Sequence, residues 1–172
     1  MTPTFRDATE ADLAAIVEIY NDEILPGTAT FHTEPQTIAD RAQWFKSIQT
    51  ENYPCLVAEV EDPTTQAKRT VAWCNLWHYN MRPAYDGTAE LSLYVHKDFR
   101  ACGVGAKLLE QTLQETRKQG GRFHTIIAGV TTDNSRRTRF WAEHGFELRG
   151  TLTEVGRKFG MWLDVSYYQL ML

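Results

Sequence analysis

The stretch from Glu90 to Gly121 constrains this chain more than any other. Leu91, Leu93 and Val95 alternate with Glu90, Ser92, Tyr94 and His96, the period of a strand with one apolar face. Gly103 and Gly105 follow almost at once. Val104, Leu108, Leu109, Thr112 and Leu113 then recur at helical spacing up to the double stop Gly120-Gly121. The segment reads as strand, glycine turn, helix. At such a turn the first N–H groups of the helix lack intrahelical partners, and the helix dipole favours an anion. Residues without a Cβ let that backbone come close to a phosphate. Arg100, at the start of the turn, adds a positive charge. The segment Arg100-Ala101-Cys102-Gly103-Val104-Gly105-Ala106 is therefore read as a pyrophosphate cradle.

Two other glycine-loop readings fail. A dinucleotide fingerprint needs a third glycine where Leu108 stands, and upstream βαβ units that are not there. A P-loop needs Gly-Lys-Ser/Thr, and here Lys107 lies between Ala106 and Leu108.

The surrounding chain suggests one domain over residues 1–172, since the usual allotment is about 150 residues per domain. Phe5-Arg6 is a short strand. Thr9 caps a helix whose face is Leu13, Ile16, Val17, Tyr20 and Ile24, ended by Pro26-Gly27. Thr33-Glu34-Pro35-Gln36 has capping-box spacing ahead of a second helix with Ile38, Trp44, Phe45 and Ile48 inward. Strands are expected at 55–60 and 69–77 around a polar hairpin loop, followed by an aromatic loop from His78 to Gly87. After the central strand and helix come a buried strand at 124–130 and a short helix from Asp133 that stops at Gly145. Two last strands are expected at 146–152 and 158–172. This order implies an α+β fold, a mixed, mostly antiparallel central sheet flanked by helices.

A net charge of −4 argues against nonspecific nucleic-acid binding. No apolar run approaches the ~20 residues of a membrane helix, and the first residues carry no signal-peptide core. Three cysteines, Cys55, Cys74 and Cys102, fit buried thiols in a reducing cytoplasm. None of the histidines has metal-ligand spacing, so no metal is expected.

Arg100 to Gly105 fits the [QR]-x-x-G-x-[GA] motif, and Asn134, Phe140-Trp141 and Gly145-Phe146 follow in order. In these blocks the chain resembles the GNAT superfamily of N-acetyltransferases. Thr28-Ala29-Thr30-Phe31, Arg82-Pro83-Ala84-Tyr85, Glu90 before Tyr94-Val95, and Lys158 to Val165 are similar to its phosphinothricin/methionine sulfoximine acetyltransferase branch. The resemblance implies the GNAT fold, acetyl-CoA as co-substrate, a small amino-acid-like amine as acceptor, direct transfer in a ternary complex, and a homodimer. It assigns Leu93, Tyr94 and Val95 to the pantetheine arm, the turn to the pyrophosphate, and Asn134 to the cofactor.

Glu90 is the expected base: an ammonium must lose a proton before its nitrogen attacks a thioester, and partial burial would raise a carboxylate's pKa toward that task. Its alternative is a cross-strand ion pair. Arg82, between Tyr79 and Tyr85, could hold an acceptor's carboxylate bidentately, or be a solvated loop residue. Thr30 and Phe31 could line the same pocket, or serve only local packing. Trp141 departs from the family, where a tyrosine or histidine stands; an indole N–H only donates a hydrogen bond and cannot act as a general acid. Arg136, Arg137 and Arg139 form a basic cluster, read as a solvated face or a contact for the ribose phosphate of CoA. Other amine acceptors, and a catalytically silent acyl-CoA sensor, remain open on the residues alone.

Overall fold

A computed structural model describes residues 2–62, 64–131 and 135–172, and of residues 135–138 the backbone only. The central segment forms as strand β4 (Thr88–Val95), in a sheet that begins with β1 (Thr4–Asp7), β2 (Cys55–Glu61) and β3 (Lys68–His78). The sheet continues through β5 (Thr125–Thr131), β6 (Glu147–Lys158) and β7 (Met161–Met171), in the order β1-β2-β3-β4-β5-β7-β6. Five of its strand pairings are antiparallel; β4 with β5 is parallel. Helices α1 (Leu13–Ile24), α2 (Ile38–Thr50), α3 (Val104–Lys118) and α4 (Ser135–Glu143) complete the chain. The α+β architecture is the expected one.

Alternation along the strands divides the core into two layers. Leu93 and Val95 face α3, where a Cβ on Gly105 would sit 3.2 Å from Val95 Cγ2. Trp73 and Tyr94, opposite each other on β3 and β4, face α1, with the Tyr20 ring 5.8 Å and 4.9 Å from theirs. Ile16, Ile19 and Ile24 of α1, Phe45 and Ile48 of α2, and Leu108 and Leu109 of α3 are buried against the two faces. At the sheet's far edge Asp12 receives hydrogen bonds from Arg6 Nη1 at 2.7 Å and Thr70 Oγ1 at 2.7 Å, while Arg6 Nη2 reaches Glu59 at 2.5 Å.

Two boundaries differ from the sequence expectation. The capping box of α2 is Thr37 with Asp40, where Asp40 N donates to Thr37 Oγ1 at 3.2 Å and Thr37 N to Asp40 Oδ2 at 2.9 Å. Thr33 cannot serve because the backbone at Gln36 is held away from helix by Asn21, whose side chain bonds both its N–H and its C=O. Ile38 then falls at the first helical position and is 54% exposed, while Arg41 points inward. At the other end, β6 does not stop at Leu152. It runs to Lys158 through an irregular register between Leu152 and Gly156, and turns at Phe159-Gly160, both with positive φ. A tight hairpin of this kind needs left-handed backbone at its two central residues, and Gly160 supplies one without strain.

Candidate active site

The parallel pairing of β4 with β5 covers Thr88, Ala89 and Glu90 against Thr125, Ile126 and Ile127, and goes no further. Gly87 O accepts from His124 N at 2.8 Å on the β5 side, and His96 N donates to Val71 O at 2.8 Å on the β3 side. Backbone direction alternates along a strand, so odd-numbered residues of β4 aim their peptide groups at β5. Beyond Glu90 the two strands part, and Leu93 and Val95 direct theirs into the gap with no ladder partner among the described residues. Backbone polar groups inside a protein call for partners, and an amide-bearing chain laid in this gap would supply them.

The gap opens into a cleft of about 860 Å³. Leu91 to Val95 form one wall and Gly129 to Thr131 the other; Arg100, Ala101, Gly103, Gly105 and Ala106 border one end. Here the two glycines do different work. Gly103 is the N-cap of α3 with φ 78°, and a Cβ there would meet nothing within 4 Å. Its openness leaves the N–H groups of Val104, Gly105 and Ala106 approachable, as an anion requires. Gly105 instead allows close helix–strand packing against Val95 and Leu93. Arg100 is not a free charge over the cradle: Nε donates to Val95 O at 3.1 Å, and its Nη2 forms an ion pair with buried Glu23. Cys102 is exposed and its Sγ turns back to Arg100 O, and it does not line the cleft. The turn and gap thus fit the phosphates and amide arm of acetyl-CoA through backbone groups.

Glu90 lies where the strands part, open to the cleft. The surrounding protein strips solvent from the carboxylate and raises its pKa above the ordinary value. Oε1 is close to Gly129, where an added Cβ would be 3.8 Å away, and the same Cβ would lie 3.7 Å from the Tyr167 ring. Glycine at 129 therefore lets β5, β7 and Glu90 converge. Tyr167 was hidden to sequence reasoning within an aromatic final segment read as core. It lines the cleft, and burial, then Tyr79 and Glu90, raise its pKa, which keeps its hydroxyl a donor. Trp141 also lines the cleft, buried against Phe146 at 5.1 Å.

The loop after α1 roofs the cleft with Ala29, Thr30 and Phe31. It is pinned twice to β6: Lys158 Nζ donates to Thr30 O at 2.9 Å, and the Phe31 ring lies directly on Gly156. Tyr20 O–H ties the loop from below, 2.7 Å from Thr30 Oγ1 and 2.6 Å from His32 Nδ1. Arg82 and Tyr85 are not brought to the cleft. Both are exposed, flanking Pro83 in a short 3-10 turn, and Tyr85 stacks edge-on with Tyr79 at 5.6 Å. Glu90 is not in an ion pair, so that alternative falls away among the described residues. Asn134 and the side chains of Arg136 and Arg137 lie outside the described residues; Arg139 Nε bonds Glu143 at 2.7 Å. No cluster of metal-ligating side chains occurs among the described residues.

A splayed parallel strand pair, a helix N-terminus at its mouth and a full match of architecture place the chain among known proteins. Residues 14–146 match the model of the acetyltransferase (GNAT) family. The chain belongs to that family. It is 34% identical over 172 residues to an L-methionine sulfoximine/L-methionine sulfone acetyltransferase of Pseudomonas paraeruginosa, covering all of this chain and 96% of that protein. With a phosphinothricin N-acetyltransferase of Streptomyces viridochromogenes it shares 35% identity over 164 residues, 95% of this chain and 85% of the other. The crystal structure of a GNAT superfamily phosphinothricin acetyltransferase from Sinorhizobium meliloti in complex with acetyl-CoA superposes with a TM-score of 0.90 at 32% identity, covering 100% of this chain and 89% of that one.

Proposed function

We propose that this chain transfers the acetyl group of acetyl-CoA to the primary amine of a small amino acid of the phosphinothricin, methionine sulfoximine or methionine sulfone type, directly and within one ternary complex. The observation that carries this reading is the β4 edge at Leu93 and Val95, which has no strand paired to it on the β5 side among the described residues and runs from the α3 N-terminus to Glu90. The peptide N–H groups of residues 104–106 would hold the pyrophosphate, with Arg100, Ala101 and Cys102 shaping the turn. The peptide groups of Leu93 and Val95 would hold the pantetheine arm and polarise the thioester carbonyl, as preorganised donors do in acyl transfer. Tyr94, between them, turns its ring to the opposite layer, where Tyr20 and Trp73 pack against it. The matching assignment of Asn134 to acetyl-CoA is retained from the family likeness.

Glu90 takes the proton of the acceptor's ammonium, directly or through water. Its raised pKa brings it closer to that of the group it must deprotonate. The departing thiolate needs little help, since a thiol is far more acidic than an alcohol. The Tyr167 hydroxyl is the donor at hand, and Trp141 has only an indole N–H. Thr30 and Phe31 close the acceptor side. Arg82 and Tyr85, exposed and away from the cleft lining, are given no part in holding the acceptor within one protomer.

A homodimer fits the outer sheet. Leu148, Leu152, Val155, Met161 and Trp162 expose about half or more of their surface on β6 and β7, at the edge of the sheet. Sedimentation velocity reads the assembly directly. The free thiols of buried Cys55 and Cys74 support a cytoplasmic setting. Among the described residues no helix is long and apolar enough to cross a membrane.

The deciding experiment is thiol release from acetyl-CoA across a panel of amino acids and their sulfone, sulfoximine and phosphinic analogues. Release confined to amino-acid acceptors supports the proposal. Release only with polyamines or aminoglycosides, or binding of acetyl-CoA with no release at all, overturns it, the last outcome making the chain a sensor.

A further inference from the structure

A second cavity, of about 180 Å³, lies behind Glu90 in the layer covered by α1 and α2. It shares Tyr20, Glu90, Ser92 and Tyr94 with the main cleft. Its walls are aromatic, chiefly Trp44, Trp73 and Trp77. Within it sits Arg41, a guanidinium on a residue only 6% exposed. Among the described residues, Arg41 Nε and Trp73 Nε1 are the buried side-chain polar atoms that have no hydrogen-bond partner.

A buried cation normally has a carboxylate beside it. Arg41 has ring faces instead: its Cζ lies 4.0 Å from the Tyr20 centroid, 4.9 Å from that of Trp44 and 5.8 Å from that of Trp73. Such faces favour the charge but do not accept the N–H groups, which lie in the guanidinium plane. A buried donor left without an acceptor is costly to the fold. The cavity thus holds donors and positive charge among aromatic walls, and none of the oxygens that line it, on Tyr20, Asn75, Glu90, Ser92 and Tyr94, receives Arg41 Nε or Trp73 Nε1.

Register says which oxygen. Trp77 stands opposite Glu90, and Trp73 opposite Tyr94, four residues further along β3. At the rise of a strand this separation is about 13 Å between backbones, shortened by the side chains that reach inward. An acceptor whose amine lies at Glu90 keeps its α-carboxylate one carbon away, near Glu90. Only a group at the far end of its side chain approaches Arg41. We infer that Arg41 and Trp73 Nε1 form the subsite for the distal oxygen of the acceptor: a phosphinyl, sulfonyl or carboxylate oxygen on an amino acid of about glutamate's length, with the aromatic walls packing its methylene and methyl groups. This inference rests on the acetyltransferase reading of the cleft.

The test compares methionine sulfone with methionine, which differ by the distal oxygens, in wild type and in Arg41→Met. The substitution keeps the apolar stem and removes the donors. KM for the sulfone rises by roughly ten- to a hundredfold, the worth of a charge-assisted hydrogen bond. KM for methionine, KM for acetyl-CoA, and kcat stay within about threefold, because uniform binding of one group is lost and nothing else. Trp73→Phe, which keeps a ring and deletes the N–H, shows the same selectivity loss at smaller size and serves if Arg41→Met does not fold. Equal damage to both acceptors means Arg41 only supports the aromatic layer, and overturns the inference while acetyl transfer stands. Wild type that releases no thiol with either acceptor overturns the acetyltransferase reading itself, and the subsite with it.

Discussion

Gly156 is where the acceptor-side roof meets the sheet, and Gly156→Ala isolates that contact. A Cβ at this position would stand 2.1 Å from Phe31 Cε2, 2.5 Å from Cζ and 2.6 Å from Cδ2. No atom tolerates such distances, so the ring must swing away. The backbone at 156 is not in the left-handed region, so alanine itself is unstrained there. Phe31 is 40% exposed. The burial at stake is the remaining share of a phenyl side chain, about 1–2 kcal/mol. In a chain of this length that lowers Tm by roughly 2–8 °C. The consequence for function is larger than for stability, because Phe31 borders the cleft beside Thr30. KM for the acceptor should rise while KM for acetyl-CoA holds, since the α3 turn is untouched. A double-mutant cycle decides the cause. Phe31→Ala alone should reproduce the loss, and adding Gly156→Ala to it should cost nothing further. If the two losses add in thermal melts, the new methyl clashes with something other than the ring, and the account of the roof is wrong.

Gly103→Ala meets no neighbour but places a side chain at φ 78°, so it should cost about 1–2 kcal/mol in thermal unfolding and weaken acetyl-CoA in calorimetric titration; unchanged affinity in the folded variant would put the phosphates elsewhere. Burial opposes ionisation of Asp12, but hydrogen bonds from Arg6, Thr70 and Thr9 overcome it and hold the pKa down at about 2. Its stabilisation is therefore present above the unfolded value near ~3.9 and lost as pH falls through about 2. Asp12→Asn should cost about 2 kcal/mol by urea unfolding at neutral pH, a penalty that shrinks in acid; a penalty constant with pH would refute the sign. Glu90 has the opposite sign. With its folded pKa raised by burial, its favourable contribution holds below the unfolded pKa and is lost as pH rises through the folded one. Glu90→Gln should thus melt higher than wild type at pH 7, the gap closing in acid, while kcat falls by roughly 10²–10⁴-fold at neutral pH and less in alkali.

Most of the fold was legible because it rests on local chemistry. Alternation in 90–96, paired glycines and a helical apolar face specify β4, the turn and α3 from a few residues each. The misjudged boundaries depended on distant partners. The start of α2 is set by Asn21, which holds Gln36 from another helix. Ile38 lies outward and Arg41 inward because the guanidinium's charge is met by the faces of three rings, a contact that a count of aliphatic spacing does not register. The position of Glu90 beside the cleft could be read since its strand face and its distance from the turn are sequence properties. Tyr167 could not: it reaches Glu90 only because β7 is inserted between β5 and β6, against chain order. Arg100 carried the motif's charge in the sequence, and its commitment to Glu23 needed the third dimension.

The parting of β4 from β5 makes this a sheet with a seam. One antiparallel block, β1 to β4, and another, β5 with β7 and β6, are stitched by the short parallel run at Thr88 to Glu90. Sheets ordinarily guard their middle amides best and surrender their edges first. Here the amides of Leu93 and Val95, central in the strand order, should exchange with solvent as edge amides do until a ligand lies against them. A bound acetyl-CoA would then behave as a missing length of strand, and its binding energy would appear as resistance of the two blocks to separation. For such a protein, occupancy is part of tertiary structure: cofactor supply would govern how long the chain lasts as well as how fast it works.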